Sequence, residues 1–266
     1  MNRGWDRDEA EWVPWEAVSY SQQVHMPTTS TPIPGPLAEA RFLQRYNRFL
    51  LQVRLEVTGE IVDAHLADPG RLKELLLPET RIWLRPASNP ERKTRWTAVL
   101  VEAADGGELV SLDTTLPNRL VGEALKRRAV EELAEWELVR SEVTMGRSRL
   151  DLLLSDPGGR HLALEVKSVT LVSNGIGLFP DAVTERGARH VRELAEISAR
   201  PGWRASILFV LQRSDAREIR AARSIDPKFA EALSEAKAAG VEILGRRCEV
   251  FPDRVELGDA VVVVVP

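Results

Sequence analysis

The stretch that most constrains the fold covers residues 149–168 and reads RLDLLLSDPGGRHLALEVKS. Two apolar runs, Leu152–Leu154 and Leu162–Val166, flank the turn-forming residues Asp156–Gly159. Short apolar runs on either side of Asp, Pro and Gly predict two adjacent strands joined by a tight connection. The chain therefore contains a β-hairpin near its middle, and polar residues interrupt its apolar pattern at specific positions.

Three of those polar residues form a candidate catalytic site. Glu165 and Lys167 are two residues apart on the second strand, so their side chains leave the same face of the sheet. The hairpin can bring Asp151, at the start of the first strand, alongside them. Asp151 and Glu165 are candidate ligands for Mg²⁺, which prefers hard oxygen ligands and keeps several waters. Lys167 is a candidate to orient or deprotonate an attacking water, or to stabilise charge on a phosphate.

Spacing alone leaves a second interpretation equally open. Glu165 and Lys167 could form a solvated ion pair on a half-exposed strand, since exposed pairs of this kind are common and nearly neutral in energy. Leu162, Leu164 and Val166 would then fill the core from the other face.

Six segments resemble the sugar fermentation stimulation protein A (SfsA) family, whose C-terminal half belongs to the PD-(D/E)XK nuclease-like superfamily. In chain order they are QRYNRFLLQV (44–53), HLADPGRLKELL (65–76), NRLVGEAL (118–125), SEVTMGRSRLDLLL (141–154), LEVKSVTL (164–171) and FPDAVTERGARHVREL (179–194). The resemblance covers residues 40–250. It implies an N-terminal OB-like barrel followed by a restriction-endonuclease-like α/β domain.

Length and composition agree with two modest domains. At 266 residues the chain is long enough for two cores, and we expect an extension and linker at 1–36, an OB-like domain at 37–113 and a nuclease-like domain at 114–266. The extension holds three tryptophans, Trp5, Trp12 and Trp15, which we expect to pack on the body or to be partly disordered. The single cysteine excludes an internal disulfide, and no apolar run is long enough to span a bilayer, which together favour a cytoplasmic protein without a membrane partner.

The charge distribution permits nucleic-acid binding without requiring it. The net charge is −4, but residues 1–36 contribute −3 of it, so the remainder is nearly neutral. Nucleic-acid binding needs a basic face rather than a basic average. Basic clusters stand at 92–95, 126–128, 186–192 and 246–247, although each is equally compatible with an ordinary solvated surface.

The first half of the chain predicts five short strands and one helix. The strands are expected at 48–57, 60–67, 81–87, 96–104 and 108–112, and the helix at 71–77. Together with the family resemblance, this predicts a small closed barrel of the OB type. Such barrels bind single-stranded nucleic acid through basic and aromatic residues, and the candidates are Arg45, Tyr46, Arg48, Arg71, Lys73, Arg92, Lys93, Arg95 and Trp96. Tyr46 and Trp96 are equally suited to the barrel core or its edge.

The second half predicts an αβββαβ core. A helix capped by Asn118 is expected to run to about residue 136, followed by strands at 137–145, 149–155 and 161–169, a helix at 182–199 and a strand at 205–211. Asp226 and Pro227 predict the start of a further helix that ends at Gly240, and a strand is expected at 241–250.

Two further acids are candidates to complete the metal site. Glu123 lies on the first predicted helix, where related nucleases often place an accessory carboxylate, and Glu142 lies on the strand before Asp151. Either is also compatible with an ordinary surface glutamate, and the sequence does not decide between them.

Arg186 and His190 are candidates to bind substrate. Four residues apart on one helix, they share a face, so Arg186 can clamp a phosphate and His190 can bind a phosphate oxygen or protonate a leaving oxygen. Alternatively, Arg186 pairs with a neighbouring glutamate and both residues lie on the surface. Gly187, which is costly within a helix, indicates a close approach by another backbone or a ligand.

The leading functional hypothesis is Mg²⁺- or Mn²⁺-dependent hydrolysis of phosphodiester bonds in DNA or RNA. The alternative is a non-catalytic DNA-binding protein with a regulatory role connected to sugar (maltose) metabolism, which the family's name and usual description favour. Intact Asp151, Glu165 and Lys167 argue against a degraded active site. The partner is nucleic acid, DNA more readily than RNA, and a homodimer is compatible with the sequence.

Overall fold

The computed structural model describes residues 29–89, 91–104, 107–145 and 148–266. Trp5, Trp12 and Trp15, which we expected to pack on the body or to be partly disordered, lie outside the described residues. In chain order the strands are β1 (Thr29–Pro32), β2 (Ala38–Asn47), β3 (Leu50–Leu55), β4 (Ile61–Leu66), β5 (Arg81–Pro86), β6 (Trp96–Glu102), β7 (Leu109–Ser111), β8 (Glu137–Met145), β9 (Ser148–Ser155), β10 (His161–Val169), β11 (Val172–Ser173), β12 (Ile176–Phe179), β13 (Trp203–Leu211), β14 (Glu218–Ala221), β15 (Glu242–Val250), β16 (Arg254–Ala260) and β17 (Val262–Val264). The helices are α1 (Leu116–Lys126), α2 (Glu185–Ser198) and α3 (Pro227–Ala238), with a short 3-10 helix at Glu131–Leu133.

Five strands near the N-terminus close into a barrel. Each of β2, β3, β4, β6 and β5 pairs with the next in that order, and β5 pairs back with β2. The pairing of β4 with β6 is parallel and closes the ring. Alternate residues such as Phe42, Leu51 and Val53 point inward and form a buried core, so the predicted OB-like barrel is confirmed.

Three details of the predicted barrel are wrong. The strand β2 was not predicted, because half of its residues are polar or charged and only alternate positions are buried. Residues 71–77 form turns instead of a helix; Leu72 has a φ of 48°, which a right-handed helix cannot contain. The segment predicted at 108–112 forms β7, which pairs with β6 outside the closed ring.

A seven-stranded sheet organises the second half, in the order β1-β16-β15-β13-β10-β9-β8. Its centre is parallel, since β13 runs parallel to both β10 and β15. Helix α1 packs on one face of the sheet, and α2 with α3 pack on the other, each face covered by its own buried apolar cluster. Apart from the short additional strands β11 and β12, the elements from α1 to β13 follow the predicted αβββαβ order, and the predicted restriction-endonuclease-like α/β class is confirmed.

Several boundaries in this half differ from prediction. Thr115 precedes α1 and Asn118 lies within the helix, so Asn118 is not its cap; the helix also ends at Lys126, ten residues before the predicted end. The short strands β11, β12, β14, β16 and β17 were not predicted. Strand β1, within the stretch predicted as a linker, pairs antiparallel with β16. In contrast, Asp226 caps α3 as predicted, because its carboxylate accepts a hydrogen bond from the amide of Phe229.

The barrel and the α/β domain contact each other through hydrogen bonds. The amide of Arg71 donates to the Asp181 carboxylate at 2.6 Å, and the Ser214 hydroxyl donates to Glu108 at 2.8 Å. The Gly70 backbone is so close to Asp181 that a Cβ at this position would lie 2.3 Å from a carboxylate oxygen. The loop at 68–71 therefore fixes the barrel against the strand ends of the second domain.

No helix among the described residues is long and apolar enough to cross a membrane.

Candidate functional site

The hairpin of β9 and β10 brings Asp151 next to Glu165 and Lys167. The two strands pair from Ser155 and His161 to Leu152 and Leu164. One residue further, the Asp151 carboxylate accepts a hydrogen bond from the amide of Val166 at 2.8 Å. Val166 stands between Glu165 and Lys167, so this bond fixes Asp151 at the point where the other two side chains emerge.

Glu165 is the centre of the polar contacts on the α2 face of the sheet. Its side chain is only 7% exposed, and its Oε1 atom lies 2.6 Å from the Lys167 Nζ. The same oxygen lies 3.2 Å from the His190 Nδ1. Buried charges need partners, and Lys167 with His190 supply them. The alternative of a solvated Glu165–Lys167 pair is therefore wrong, because both side chains are largely buried.

His190 reaches this carboxylate from α2, and Arg186 contacts His190. The helix begins after Thr184, whose side chain accepts a hydrogen bond from the amide of Gly187. The Nε of Arg186 donates a hydrogen bond at 3.4 Å to the Nε2 of His190, which lies one turn further along α2. A proton on Nδ1 satisfies both contacts of the ring, since Nδ1 then donates to Glu165 and Nε2 accepts from Arg186.

Gly187 is explained by the cap rather than by a ligand. A Cβ there would lie 2.7 Å from Thr184 Cγ2 and 3.4 Å from the ring of Phe229. The close approach that the sequence indicated is therefore made by two side chains.

The electrostatic environment of Asp151 favours a cation. Burial raises the pKa of Asp151 above its ordinary value, and the nearby charge of Glu165 raises it further. Hydrogen bonds from the Val166 amide and the Asn118 side chain, together with the Lys167 charge, oppose this shift. Two carboxylates that repel each other in a partly buried place are stabilised by a positive ion between them.

The donor set fits a hydrated ion better than a cage of protein ligands. Among residues 29–89, 91–104, 107–145 and 148–266, no group of three or more His, Cys, Asp or Glu is arranged to hold a metal. Mg²⁺ usually takes only one or two carboxylates and completes its shell with water and phosphate oxygens. Asp151 and Glu165 match that pattern.

Glu123 and Glu142 stand apart from this centre. Glu123 pairs with Lys126 at 2.7 Å, which lowers the pKa of the Glu123 carboxyl. Glu142, whose φ is 56°, pairs with Arg149 at 2.5 Å. Both side chains are exposed and both line the same groove as Asp151. Among the described hydrogen bonds and ion pairs, neither acid contacts Asp151 or Glu165.

Two cavities lie beside the Asp151–Val166 hydrogen bond, and each is lined by one of its two residues. The interdomain cleft, of about 640 Å³, is lined by Arg48, Gly70, Lys167, Asp181 and neighbouring residues. The α1–β8 groove, of about 760 Å³, is lined by Asn118, Glu123, Arg127, Glu142, Asp151 and others. Thr114 lines both cavities. A ligand in the groove can therefore contact Asp151, and a ligand in the cleft can contact Lys167, whereas Glu165 lines neither cavity.

The basic residues predicted on the barrel have different positions. Arg48 lines the interdomain cleft. Arg71 and Lys73 are exposed on the adjoining loop. Arg45, in contrast, donates to the backbone carbonyls of Asn47, Arg48, Gly70 and Arg71 at 2.7–3.2 Å. These donors are occupied by the protein itself, so the structure gives Arg45 a structural role in place of a substrate contact.

Four other barrel candidates, Arg92, Lys93, Arg95 and Trp96, do not line the cleft. Arg92 donates to Thr94 and Thr97, and neither it nor Lys93 or Arg95 lines the cleft. Trp96 packs against the barrel core, as one of its two interpretations predicted.

Asn118 is the contact that sequence reasoning missed. Its side chain donates to Asp151 from α1, although the sequence suggested only a helix cap. The signal was present in the family-like segment NRLVGEAL, which begins at this residue.

Comparisons with known proteins agree with this architecture. Residues 43–112 match the family described as SfsA N-terminal OB domain, and residues 115–254 match the family described as Sugar fermentation stimulation protein RE domain. The sugar fermentation stimulation protein homolog of Shouchella clausii is 47% identical over 230 residues, covering 86% of this chain and 98% of that protein. This chain belongs to the SfsA family. The homolog from Moorella thermoacetica is 46% identical over 226 residues, covering 85% of this chain and 95% of that protein.

A solved SfsA structure has the same fold. SfsA from Pyrococcus furiosus, in complex with Ca²⁺, superimposes with a TM-score of 0.78 at 30% sequence identity. The match covers 87% of this chain and 97% of the Pyrococcus chain. The two-domain arrangement is therefore shared between distant SfsA proteins.

Proposed function

We propose that this SfsA protein is a divalent-metal-dependent nuclease that hydrolyses phosphodiester bonds of DNA or RNA. The observation that carries the proposal is the hydrogen bond from the Val166 amide to Asp151. This bond holds the Asp151 carboxylate beside the strand that carries Glu165 and Lys167. Asp151 lines the groove, and Lys167 lines the cleft. A pair of partly buried acids with a lysine beside them is the minimum needed to hold a hydrated cation and an attacking water.

In this proposal Asp151 and Glu165 hold Mg²⁺ or Mn²⁺, which when bound stabilises charge on the phosphate and makes a coordinated water more acidic. Lys167 lines the interdomain cleft and positions the water or the phosphate there. Its ammonium contacts only one oxygen of Glu165, leaving the other oxygen for a cation.

Arg186 and His190 bind phosphate oxygens in the same proposal. The Arg186 side chain is exposed, and among the described residues only its Nε donates a hydrogen bond, to His190 Nε2. Its remaining N–H groups can therefore donate to a phosphate. His190 is held by Glu165 through Nδ1, and in this proposal its Nε2 gives up the contact with Arg186 and, when it carries a proton, donates to a phosphate oxygen.

Two considerations support a nucleic-acid ligand and a divalent ion. Arg48 and Lys167 in the cleft and Arg127 in the groove are candidates to contact a phosphate backbone, and a bound cation would offset the acids that line the same cavities. The Pyrococcus furiosus relative was solved with Ca²⁺, an oxygen-seeking cation like Mg²⁺. We further propose that residues 37–113 and 114–266 are the two functional domains, with the barrel binding substrate and the α/β domain cleaving it.

The test measures metal binding and cleavage in the same variants. Calorimetric titration with Mg²⁺, Mn²⁺ and Ca²⁺ compares the wild type with Asp151→Asn, Glu165→Gln and their double variant. Asp259→Asn, an exposed strand carboxylate at 78% exposure, is the matched control. We expect the site variants to lose metal binding and the control to retain it.

The cleavage assay uses single- and double-stranded DNA and RNA, with EDTA as the metal-free arm. We expect Lys167→Ala to bind metal but to cleave about 100-fold more slowly or worse. Cleavage that persists equally in Asp151→Asn and Lys167→Ala would refute the assignment.

A nucleic-acid-binding protein without turnover is the second candidate. One observation favours it: Glu165 already has a neutralising partner in Lys167 at 2.6 Å, so the pair is satisfied without a metal. The relatives' names, which refer to sugar fermentation, are compatible with this regulatory alternative. Binding that is salt-sensitive, unaffected by EDTA and unchanged in Asp151→Asn, with no product after long incubation, would favour it.

A further inference from the structure

The hairpin between β2 and β3 exposes two aromatic rings, one on each side of Arg48 in the sequence, and Arg48 lines the interdomain cleft. Tyr46 is 51% exposed and Phe49 is 48% exposed. The Phe49 ring lies over the imidazole of His65, with centroids 6.4 Å apart and planes inclined by 27°. Single apolar residues on a surface need no explanation, but this hairpin exposes two aromatic rings, and the imidazole of His65 on β4 supports one of them.

The hairpin holds these rings in a defined position. The amide of Phe49 donates to the Asn47 side chain at 2.9 Å, and the carbonyl of Phe49 accepts from the amide of Leu66 at 3.0 Å. The Tyr46 hydroxyl accepts from the Gln52 side chain. Arg45 closes the arrangement through its bonds to the Asn47 and Arg48 carbonyls. A ring presented on a rigid turn loses little entropy when a ligand stacks on it.

Basic side chains beside the rings can contact a phosphate backbone. Arg48 directly precedes Phe49 and lines the interdomain cleft together with Lys167. Arg71 and Lys73 are exposed on the loop that Arg45 ties to this hairpin. The cleft is also lined by Asp68 and Asp181, so we assign the phosphate contact to Arg48, the basic residue next to Phe49.

We propose that this hairpin binds a single-stranded segment of nucleic acid. One base stacks on Phe49, the neighbouring phosphate contacts Arg48, and the strand continues along the cleft toward Lys167. The segment has to be single-stranded because a base within a duplex does not present its face to a side chain. Stacking on aromatic rings tolerates any base sequence, whereas basic residues follow the backbone. The inference rests on the proposed function only in taking nucleic acid as the ligand; it does not require cleavage.

The test is a binding titration in EDTA, followed by fluorescence anisotropy of labelled oligothymidylate and oligouridylate. We expect Phe49→Ala to weaken binding of both by about 10-fold and Phe49→Trp to retain it. Phe251→Ala is the control, because Phe251 is an aromatic residue on a distant turn, in contact with Arg254. Thermal unfolding of each variant verifies that the fold is intact.

Abasic substitutions identify stacking directly. An abasic nucleotide moved along the oligonucleotide should weaken wild-type binding at one position, and the same substitution should have no further effect on Phe49→Ala. A duplex of the same sequence should bind the two proteins equally.

Three results would overturn the proposal. These are unchanged affinity of Phe49→Ala, an equal abasic penalty in both proteins, or a Phe49-dependent self-association in light scattering without any effect on oligonucleotide binding. The last would assign the surface to a second copy of the chain. Failure of metal-dependent cleavage alone would leave the stacking result standing, so the two proposals fail separately.

Discussion

Arg45 and Arg48 lie three residues apart in one hairpin, yet the structure gives them opposite roles. Replacing Arg45 with alanine removes a guanidinium whose donors reach backbone carbonyls on both the hairpin and the loop at 68–71. Hydrogen bonds from charged groups contribute about 1.5–3 kcal/mol each in mutational series. Most of these carbonyls are exposed and regain water, so we count only the part-buried bond to Gly70, at 2.8 Å, in full.

The expected loss for Arg45→Ala is therefore about 2–3 kcal/mol in the free energy of unfolding. For a chain of this size each kcal/mol corresponds to a change in Tm of about 2–4 °C, which gives a decrease of about 4–12 °C. Arg48→Ala is the matched control, because no described residue pairs with its side chain, and its loss should stay within about 0.5 kcal/mol.

Urea unfolding and DNA-binding measurements distinguish the expected roles of Arg45 and Arg48. Arg48→Ala should weaken DNA binding and reduce the slope of log affinity against log salt by about 1, as loss of one phosphate contact does. Arg45→Lys should recover little stability, since an ammonium cannot reproduce the fork of donors. Equal unfolding midpoints for Arg45→Ala and Arg48→Ala would refute the structural role of Arg45.

Three further predictions concern stability around the two domains. Gly70→Ala should destabilise the protein by about 1–3 kcal/mol, since its Cβ would lie 2.3 Å from the Asp181 carboxylate; an unchanged Tm would contradict this packing. Burial raises the pKa of Asp68, so ionisation of Asp68 disfavours the folded state as pH rises above the ordinary value of 3.8. Asp68→Asn should therefore be the more stable protein at pH 7 and lose that advantage as the pH approaches 3.8, and a pH-independent difference in urea midpoints would exclude this cause. Asp226 is buried and accepts amide hydrogen bonds both from α3 and from Thr184, so Asp226→Ala should cost about 2–4 kcal/mol in chemical unfolding, and a loss under about 1 kcal/mol would show that water replaces its carboxylate.

The parts of the fold that the sequence predicted well carry strong local patterns. The hairpin of β9 and β10 follows from two apolar runs around Asp156–Gly159, and strand alternation alone places Glu165 and Lys167 on one face. The helix start at Asp226 and Pro227 follows from capping chemistry. In each case the local residues and the tertiary structure favour the same conformation.

The parts that failed depend on contacts distant in sequence. Leu72 adopts a left-handed backbone because both Leu72 and Leu75 turn into the barrel core, which no helical pattern indicates. Strand β14 is only four residues long and is defined by its neighbours β12 and β17. The role of Arg45 could not be predicted either, since its acceptors include backbone carbonyls about twenty-five residues away.

The segment at 181–190, which leads into α2, connects the barrel loop at 68–71 with the candidate catalytic residue Glu165. Asp181 accepts a hydrogen bond from the amide of Arg71 and so fixes the barrel loop. His190, nine residues after Asp181, contacts Glu165. Because Asp181 and His190 lie on one short stretch of chain, the barrel cannot shift far from the α/β domain without moving α2. Under the proposed function, a strand bound along the barrel would therefore enter the cleft at a fixed position relative to Glu165. The barrel would then position the substrate, and the sheet would supply the carboxylates.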